Sequence, residues 1–413
     1  MPADVVERIQ HFNADREPER RTIKYQKLRA DPFAFLRGTS HLFYDRLAER
    51  PVLPPTPLAW TCGDLHVENF GSYKGDNRLV YFDINDFDDA CLAPASWELV
   101  RFLASARVAA HAMRVGDADA TRLCAQTLDA YADALGAAKP RWVERETALG
   151  LVRQLLDGLR NRRRVDLLDS RTIRKRRRRV LRCDGVHALP ASDAQVRFAT
   201  RVIDDFAARI GERGFFRVRD VARRVAGIGS LGVTRYVVLV EGKGSPDGNY
   251  LLDLKQAEPS ALAAHLRQVH QPAWANEAQR VVAIEHCMQA VSAAFLHPIQ
   301  REGVSLVLRG LQPSADRVDL QRGLGRRSIK ILLQEMARVL AWDQLRSAGR
   351  HGSATVDEWI AFIGGRRAWR RVLLEQARRC ARQVVDDWSI YAAAYDKGAF
   401  GQPSTGMKAL TRR

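Results

Sequence analysis

The stretch Gly227-Ile-Gly229-Ser230-Leu-Gly232 constrains the fold most. It leads into Tyr236-Val-Val-Leu-Val240, a Gly-Lys-Gly-Ser-Pro-Asp-Gly turn and Tyr250-Leu-Leu-Asp-Leu-Lys255. Two β-branched, apolar runs joined by turn residues predict an antiparallel hairpin. The glycines ahead of it let the backbone turn tightly and approach a ligand closely. This is the clearest β signal in the chain, and it lies past the midpoint. The N-terminal half reads as mostly helical, with periodic apolar stretches at Phe33–Ala48, Trp97–Met113, Asp117–Leu135 and Trp142–Leu159. Long helices are also expected at Asn276–Leu296, from Ser328 onward and at Trp369–Tyr395, with a strand at Val304–Leu308.

A second cluster lies far upstream. Cys62-Gly63-Asp64-Leu65-His66-Val67-Glu68-Asn69 places an amide five residues after an acid. The turn Lys74-Gly75-Asp76-Asn77 and the strand Arg78–Phe82 follow, then Asp83-Ile84-Asn85-Asp86-Phe87-Asp88-Asp89. Phosphoryl transfer calls for a carboxylate that orients or deprotonates an attacking hydroxyl. It also calls for oxygen ligands that hold Mg²⁺ against phosphates. Asp64 and His66 are therefore the candidate catalytic residues, His66 more as a hydrogen-bonding support of its loop. Asn69 and Asp86 are candidate metal ligands, with Asp83 or Asp88 sharing that role. Gly227, Gly229, Ser230, Gly232 and Lys255 are the candidate nucleotide-binding set: the backbone cradles phosphate and the lysine adds a point charge. ATP and Mg²⁺ are the expected cofactors.

Gly63-Asp-Leu-His66…Asn69…Asp86-Phe87…Glu98 resembles the aminoglycoside- and choline-kinase branch of the protein-kinase-like superfamily. That resemblance implies an acid on a helix twelve residues after the metal-binding Asp, bracing the catalytic loop, and Glu98 stands there. It implies an α+β, two-lobed protein-kinase-like fold. Because the glycine-rich hairpin follows the acidic cluster, the lobe order would be circularly permuted. Expected divisions are a polar leader (1–30), a catalytic helical part (31–205), a nucleotide-binding sheet part (206–315), returning helices (316–396) and a disordered tail (397–413). The chain is also similar to the bacterial family called domain of unknown function 2252. The marks are Asp31-Pro-Phe-Ala-Phe-Leu-Arg37-Gly38, the 62–71 and 82–88 stretches, Trp97-Glu-Leu-Val-Arg101 and Gly227–Gly232. Gln256 replaces the acid that usually follows Lys255 in that family, which leaves Glu258, Glu277 or Glu285 as its expected partner.

Composition limits the alternatives. At 413 residues more than one core is expected. No apolar run is long enough for a membrane span, and the first residues predict no secretory leader. Six scattered cysteines without metal-type spacing suit a cytoplasmic protein with reduced thiols. Of the net charge of +18, an excess of ten lies between Arg160 and Arg182, twelve Lys/Arg against two Asp. That block reads as a solvated face or as the site of an anionic partner, with Arg162, Arg163 and Arg164 flanking the cleft in one version. The expected partners are a nucleotide and a small-molecule or protein hydroxyl acceptor. An inactive kinase-like binding scaffold, a metal-dependent phosphoesterase and a nucleotidyltransferase stay open as alternatives.

Overall fold

The computed structural model describes residues 2–49, 53–320, 323–365 and 368–401, so most of the expected tail lies outside the described residues. The architecture is mixed α+β. Its largest sheet has six antiparallel strands, in spatial order His297–Arg301, Val304–Leu311, Tyr250–Gln256, Arg235–Val240, Val218–Arg224 and Ala188–Pro190. Strand alternation sorts its residues onto two faces. Tyr236, Val238, Val240, Leu252, Leu254, Leu306 and Leu308 form one apolar face, covered by Val202, Ile203 and Phe206 of helix Asp193–Ile210. That helix has a capping box at Ser192 and Gln195 and ends on Gly211 in the left-handed region. It belongs to the sheet, so the sheet unit begins ahead of residue 206.

The opposite face is divided. Val237, Leu239 and Leu251 pack beneath Leu168. Towards the Lys255 end the same face turns ionic: Arg224 and Arg235 both grip the buried carboxylate of Asp253. Charges inside a sheet are tolerated only when paired in this way.

Most of the remaining helices share one core with Ala95–Ala112, an alanine-rich helix buried over most of its length. Ala368–Asp396 and Asp117–Gly136 lie against it, and Arg326–Arg346 packs on Asp117–Gly136. Small side chains permit such close helix approach. Among the described residues no helix is long and apolar enough to cross a membrane.

Several segments differ from expectation. The helix expected over Trp142–Leu159 begins only at Gly150, and Val143–Glu144 is a short strand paired with Tyr81 and Phe82. The expected polar leader forms helices Pro2–Phe12 and Pro18–Leu28, the second with Arg20 and Lys24 buried. The helix expected over Phe33–Ala48 is two, Pro32–Gly38 and Ser40–Ala48, divided at Thr39. The helix expected to reach Leu296 stops at Met288. There Gln289 turns extended and its side chain donates to the Ile84 carbonyl at 2.7 Å, while the Ala290 N–H goes to Asp83. The basic block is a folded unit: helix Arg164–Arg171 and hairpin Thr172–Lys175/Arg178–Leu181. Its Arg179 is buried and bridges Asp169 and Asp247.

Candidate active site

Strands Leu58–Thr61 and Cys91–Pro94 pair with each other and present the acidic cluster between them. Gly63 adopts φ 81°, and a Cβ there would lie 1.9 Å from the Asp89 carbonyl oxygen, so only glycine fits this turn. Glu98, fully buried, braces the turn by accepting from the Cys62 N–H at 2.7 Å and the Gly63 N–H at 3.4 Å. Burial pushes its carboxyl up to about 7, with those hydrogen bonds opposing. Asn69, in the short turn Val67–Asn69, donates its amide to the carbonyls of Asp64 (3.3 Å) and Asp86 (3.1 Å). That amide staples the two acidic stretches together across the hairpin Phe70–Lys74/Val80–Ile84.

Asp64 receives Arg101 Nε at 2.7 Å. Arg101 is fully buried and also donates to the Leu36 carbonyl at 3.0 Å. Burial pushes the Asp64 carboxyl up to about 7; Arg101 opposes this and the Asp89 charge adds to it. The result is a carboxylate in fixed position that can change protonation near neutrality, which suits general-base work.

The glycine stretch descends onto this acid. Gly227 (φ 67°) and Gly232 (φ 92°) take left-handed backbone, and a Cβ on Gly229 would sit 3.3 Å from the Arg37 carbonyl and 4.0 Å from Asp64 Oδ2. The loop is anchored on its outer side. Arg16 donates to the carbonyls of Gly229 (2.5 Å) and Leu231 (2.9 Å), and Lys24 Nζ donates to Gly229 at 2.9 Å. Burial holds the Lys24 ammonium well below the ordinary lysine pKa. Arg235 supports the loop from within, meeting the Ala226 carbonyl and Ser230 Oγ at 3.3 Å each.

Asp64, His66, Asn69, Asp86, Gly227, Gly229 and Ser230 all line one cavity of about 490 Å³, joined there by Asp88. Lys255 is buried on the ionic face of the sheet behind these acids and does not itself line the cavity; its Nζ lies 3.4 Å from Asp86 Oδ1 and in contact with Asp88. Asp86 is 54% exposed and so open to a ligand. Crowding by surrounding protein raises both carboxyls despite their exposure, but Lys255 and Arg309 outweigh it at Asp86 and hold that group below its usual value. Asp88 is raised, by the same crowding and by the Asp86 charge. Lys255 favours ionisation of both acids, but at Asp88 crowding and the Asp86 charge outweigh it, so the two pKa values are pushed apart.

Several expected residues fall elsewhere. Asp83 lies inside the strand Val80–Ile84 and its side chain is buried away from the cavity. There it accepts from Ala290 N–H and sits 3.5 Å from Arg346, beside Asp343. Strand parity separates it from Asp86, which follows the strand. Gly232 packs on the Arg16 side chain and does not line the cavity. None of the three glutamates expected beside Lys255 meets it: Glu258 faces Arg16, Glu277 faces Arg280 and Glu285 faces Arg309. His66 is buried, its Nδ1 has no hydrogen-bond partner, and burial with nearby arginines keeps it neutral.

Sequence reasoning missed the arginines and Lys24. Arg37 and Arg317 flank Glu68 at 2.6 and 2.8 Å on the cavity wall, and Arg280 ties the carbonyls of Asp88 and Glu258 at 2.9 and 2.8 Å. Of the anchor, only Lys24 carried a signal, one turn from Arg20 on helix Pro18–Leu28; Arg16 precedes that helix. Among the described residues no group of three or more His, Cys, Asp or Glu is arranged to hold a metal ion.

No curated protein and no solved structure matches the chain. The model of a family described as uncharacterized protein conserved in bacteria (DUF2252) matches residues 16–394, taking in Arg16, both acidic stretches, the glycine loop and Lys255; the chain belongs to that family.

Proposed function

We propose that the chain is an ATP- and Mg²⁺-dependent phosphotransferase of kinase-like build, with its lobes in permuted order, acting on a hydroxyl acceptor. One observation carries the reading: a sheet lysine meets two loop carboxylates at a cavity that has Asp64 and the glycine loop on its walls. A nucleotide–metal complex needs only one or two protein carboxylates, because phosphate oxygens and water complete the shell. Asp86 and Asp88 fit that requirement without a three-residue metal cluster. The cradle fits as well, since a side chain at Gly229 would fill the narrow space over Arg37 and Asp64. Asn85 Oδ1, buried beside the cavity without a partner, is a further acceptor available there.

Bound Mg²⁺ would offset phosphate charge. Asp86 and Asp88 would hold it, Lys255 would exchange their carboxylates for phosphate oxygens, and glycine-loop N–H groups would position the anion. Asp64, oriented by Arg101, would take the proton of the acceptor hydroxyl. Calorimetric titration with Mg²⁺–ADP tests the division of labour. Asp86→Ala should abolish binding, whereas Asp64→Ala should retain it and lose transfer of label from γ-labelled ATP in a cell extract. Absence of Mg²⁺–ADP binding in the parent protein, or equal loss in both variants, would sink the reading. Transfer of α-label instead would reassign the chemistry to nucleotidyl transfer.

A further inference from the structure

A larger cavity, about 1120 Å³, lies on the far side of the segment 312–317 from the acidic site. Pro313 and Ser314 line it, whereas Ala315, Asp316 and Arg317 line the smaller cavity. One wall is aromatic: Phe206, Phe215, Phe216, Tyr250 and Phe295. The rings tilt on one another, Phe215 on Tyr250 at 54° and Tyr250 on Phe295 at 87°, giving a curved apolar surface in place of a parallel slot for one flat ring. Ile210 (40% exposed) and Leu79 (52% exposed) extend it to the rim.

The other wall is basic. Arg160, Arg162 and Arg164 line it, from the start of the positive block, and with Lys74, Arg78, Arg145 and Lys243 they outnumber the acids Asp76, Glu144, Glu146 and Glu212 that also line the cavity. Arg162 reaches Asp316 at 2.7 Å, while the Arg164 guanidinium lies 3.7 Å over the Tyr250 ring and has no acidic partner among the described residues. Two features of the cavity wall are energetically costly. Ser314 Oγ is buried (6% exposed) with no hydrogen-bond partner. Phe295 takes φ 62°, unfavourable for a bulky side chain, and Gly310 leaves room for its ring, since a Cβ there would come within 2.9 Å. Such strain persists where the surroundings hold a shape that is used.

We propose that this cavity binds a single-chain amphiphile with an anionic head, the alkyl chain on the aromatic wall and the head at Arg160, Arg162 and Arg164. Arginine offers a planar fork to phosphate or carboxylate, and the curved wall suits a flexible chain. A monomeric molecule is favoured over a bilayer because the aromatic wall is concave and lies within the cavity. The site stands independently of the phosphotransferase reading.

The test is calorimetry of the full chain with dodecyl phosphate below its micelle concentration, against inorganic phosphate and neutral dodecyl maltoside. Dodecyl phosphate should bind saturably at one per chain, and both controls at least tenfold more weakly. Arg164→Gln should weaken dodecyl phosphate at least tenfold. Ile210→Glu, at the exposed rim, should do the same while its unfolding curve matches the parent. The proposal is overturned by non-saturable binding, by binding unchanged in both variants, or by capture on phosphatidic acid vesicles without binding of the monomer.

Discussion

Strand Tyr250–Gln256 carries two unlike surfaces. Leu252 and Leu254 point into a wholly apolar layer beneath helix Asp193–Ile210, whereas Asp253 and Lys255, one residue out of phase, point into a network of arginines and acids. Both surfaces are buried, and they are held by opposite means. On the apolar face any apolar side chain of similar volume and shape would serve; on the ionic face each group depends on a named partner. The strand therefore builds an apolar core on one side and an ionic surface on the other at no cost in length.

The largest expected effect breaks the ionic side. Asp253→Ala strands Arg224 and Arg235 in a buried setting and should cost about 3–5 kcal/mol in urea denaturation. Replacing Arg224 by Met in the same chain should recover part of the loss. Leu254→Ala should cost about 2–5 kcal/mol with no such rescue. A loss below about 1 kcal/mol for Asp253→Ala would mean that pairing is not what keeps charge in this sheet.

Glu98 sharpens the contrast, because it is as buried as Asp253 but has backbone N–H groups where Asp253 has arginines. Asp253 is held well below the usual carboxylate range; Glu98 is pushed from 4.5 up to about 7. A raised acid binds its proton more tightly folded than unfolded. Its contribution is complete below about pH 4.5 and disappears as pH rises to about 7. Compared with Glu98→Gln, the parent should lose up to about 1.4 kcal/mol per pH unit across that window and stay level above it. Parallel stability–pH curves for the two proteins would refute this.

Lys255→Met probes where the ionic face meets the cavity. Mg²⁺–ADP affinity should fall at least tenfold, about 1.4 kcal/mol, with little change in the unfolding midpoint. A large stability loss with unchanged affinity would make Lys255 a structural ion pair. The smallest effect belongs to the exposed hairpin: Arg176→Gln with Arg177→Gln should shift stability by less than about 0.5 kcal/mol. These side chains are solvated, unlike the buried Arg179 two residues on.

What could be read from the sequence was local. The Asp64–Asn69–Asp86 spacing, the hairpin between them, the place of Glu98 and the glycine-rich turn all depend on short stretches of chain, and the structure brings them together. Asp83 was harder to place than Asp86, since where a strand ends decides which way a side chain points. The partners of Lys255 lie nearly 170 residues upstream, so proximity in sequence favoured glutamates that pair elsewhere. Arg16 and Lys24 were hidden by chemistry as well as distance. A cation satisfied by backbone carbonyls leaves no complementary residue type to find.

Those two cations have an entropic consequence. A loop with three glycines in six residues is, left to itself, among the most freely moving segments a chain can have, and ordering it on a ligand would drain affinity. Here the ordering is done once, during folding, when Arg16 and Lys24 fasten Gly229 and Leu231 to the N-terminal region. Removing the first thirty residues would leave every group on the inner cavity wall except Phe12 and Arg16, yet return that entropy to the loop. Under the proposed function, the loss would be registered in Mg²⁺–ADP binding, far from the cut.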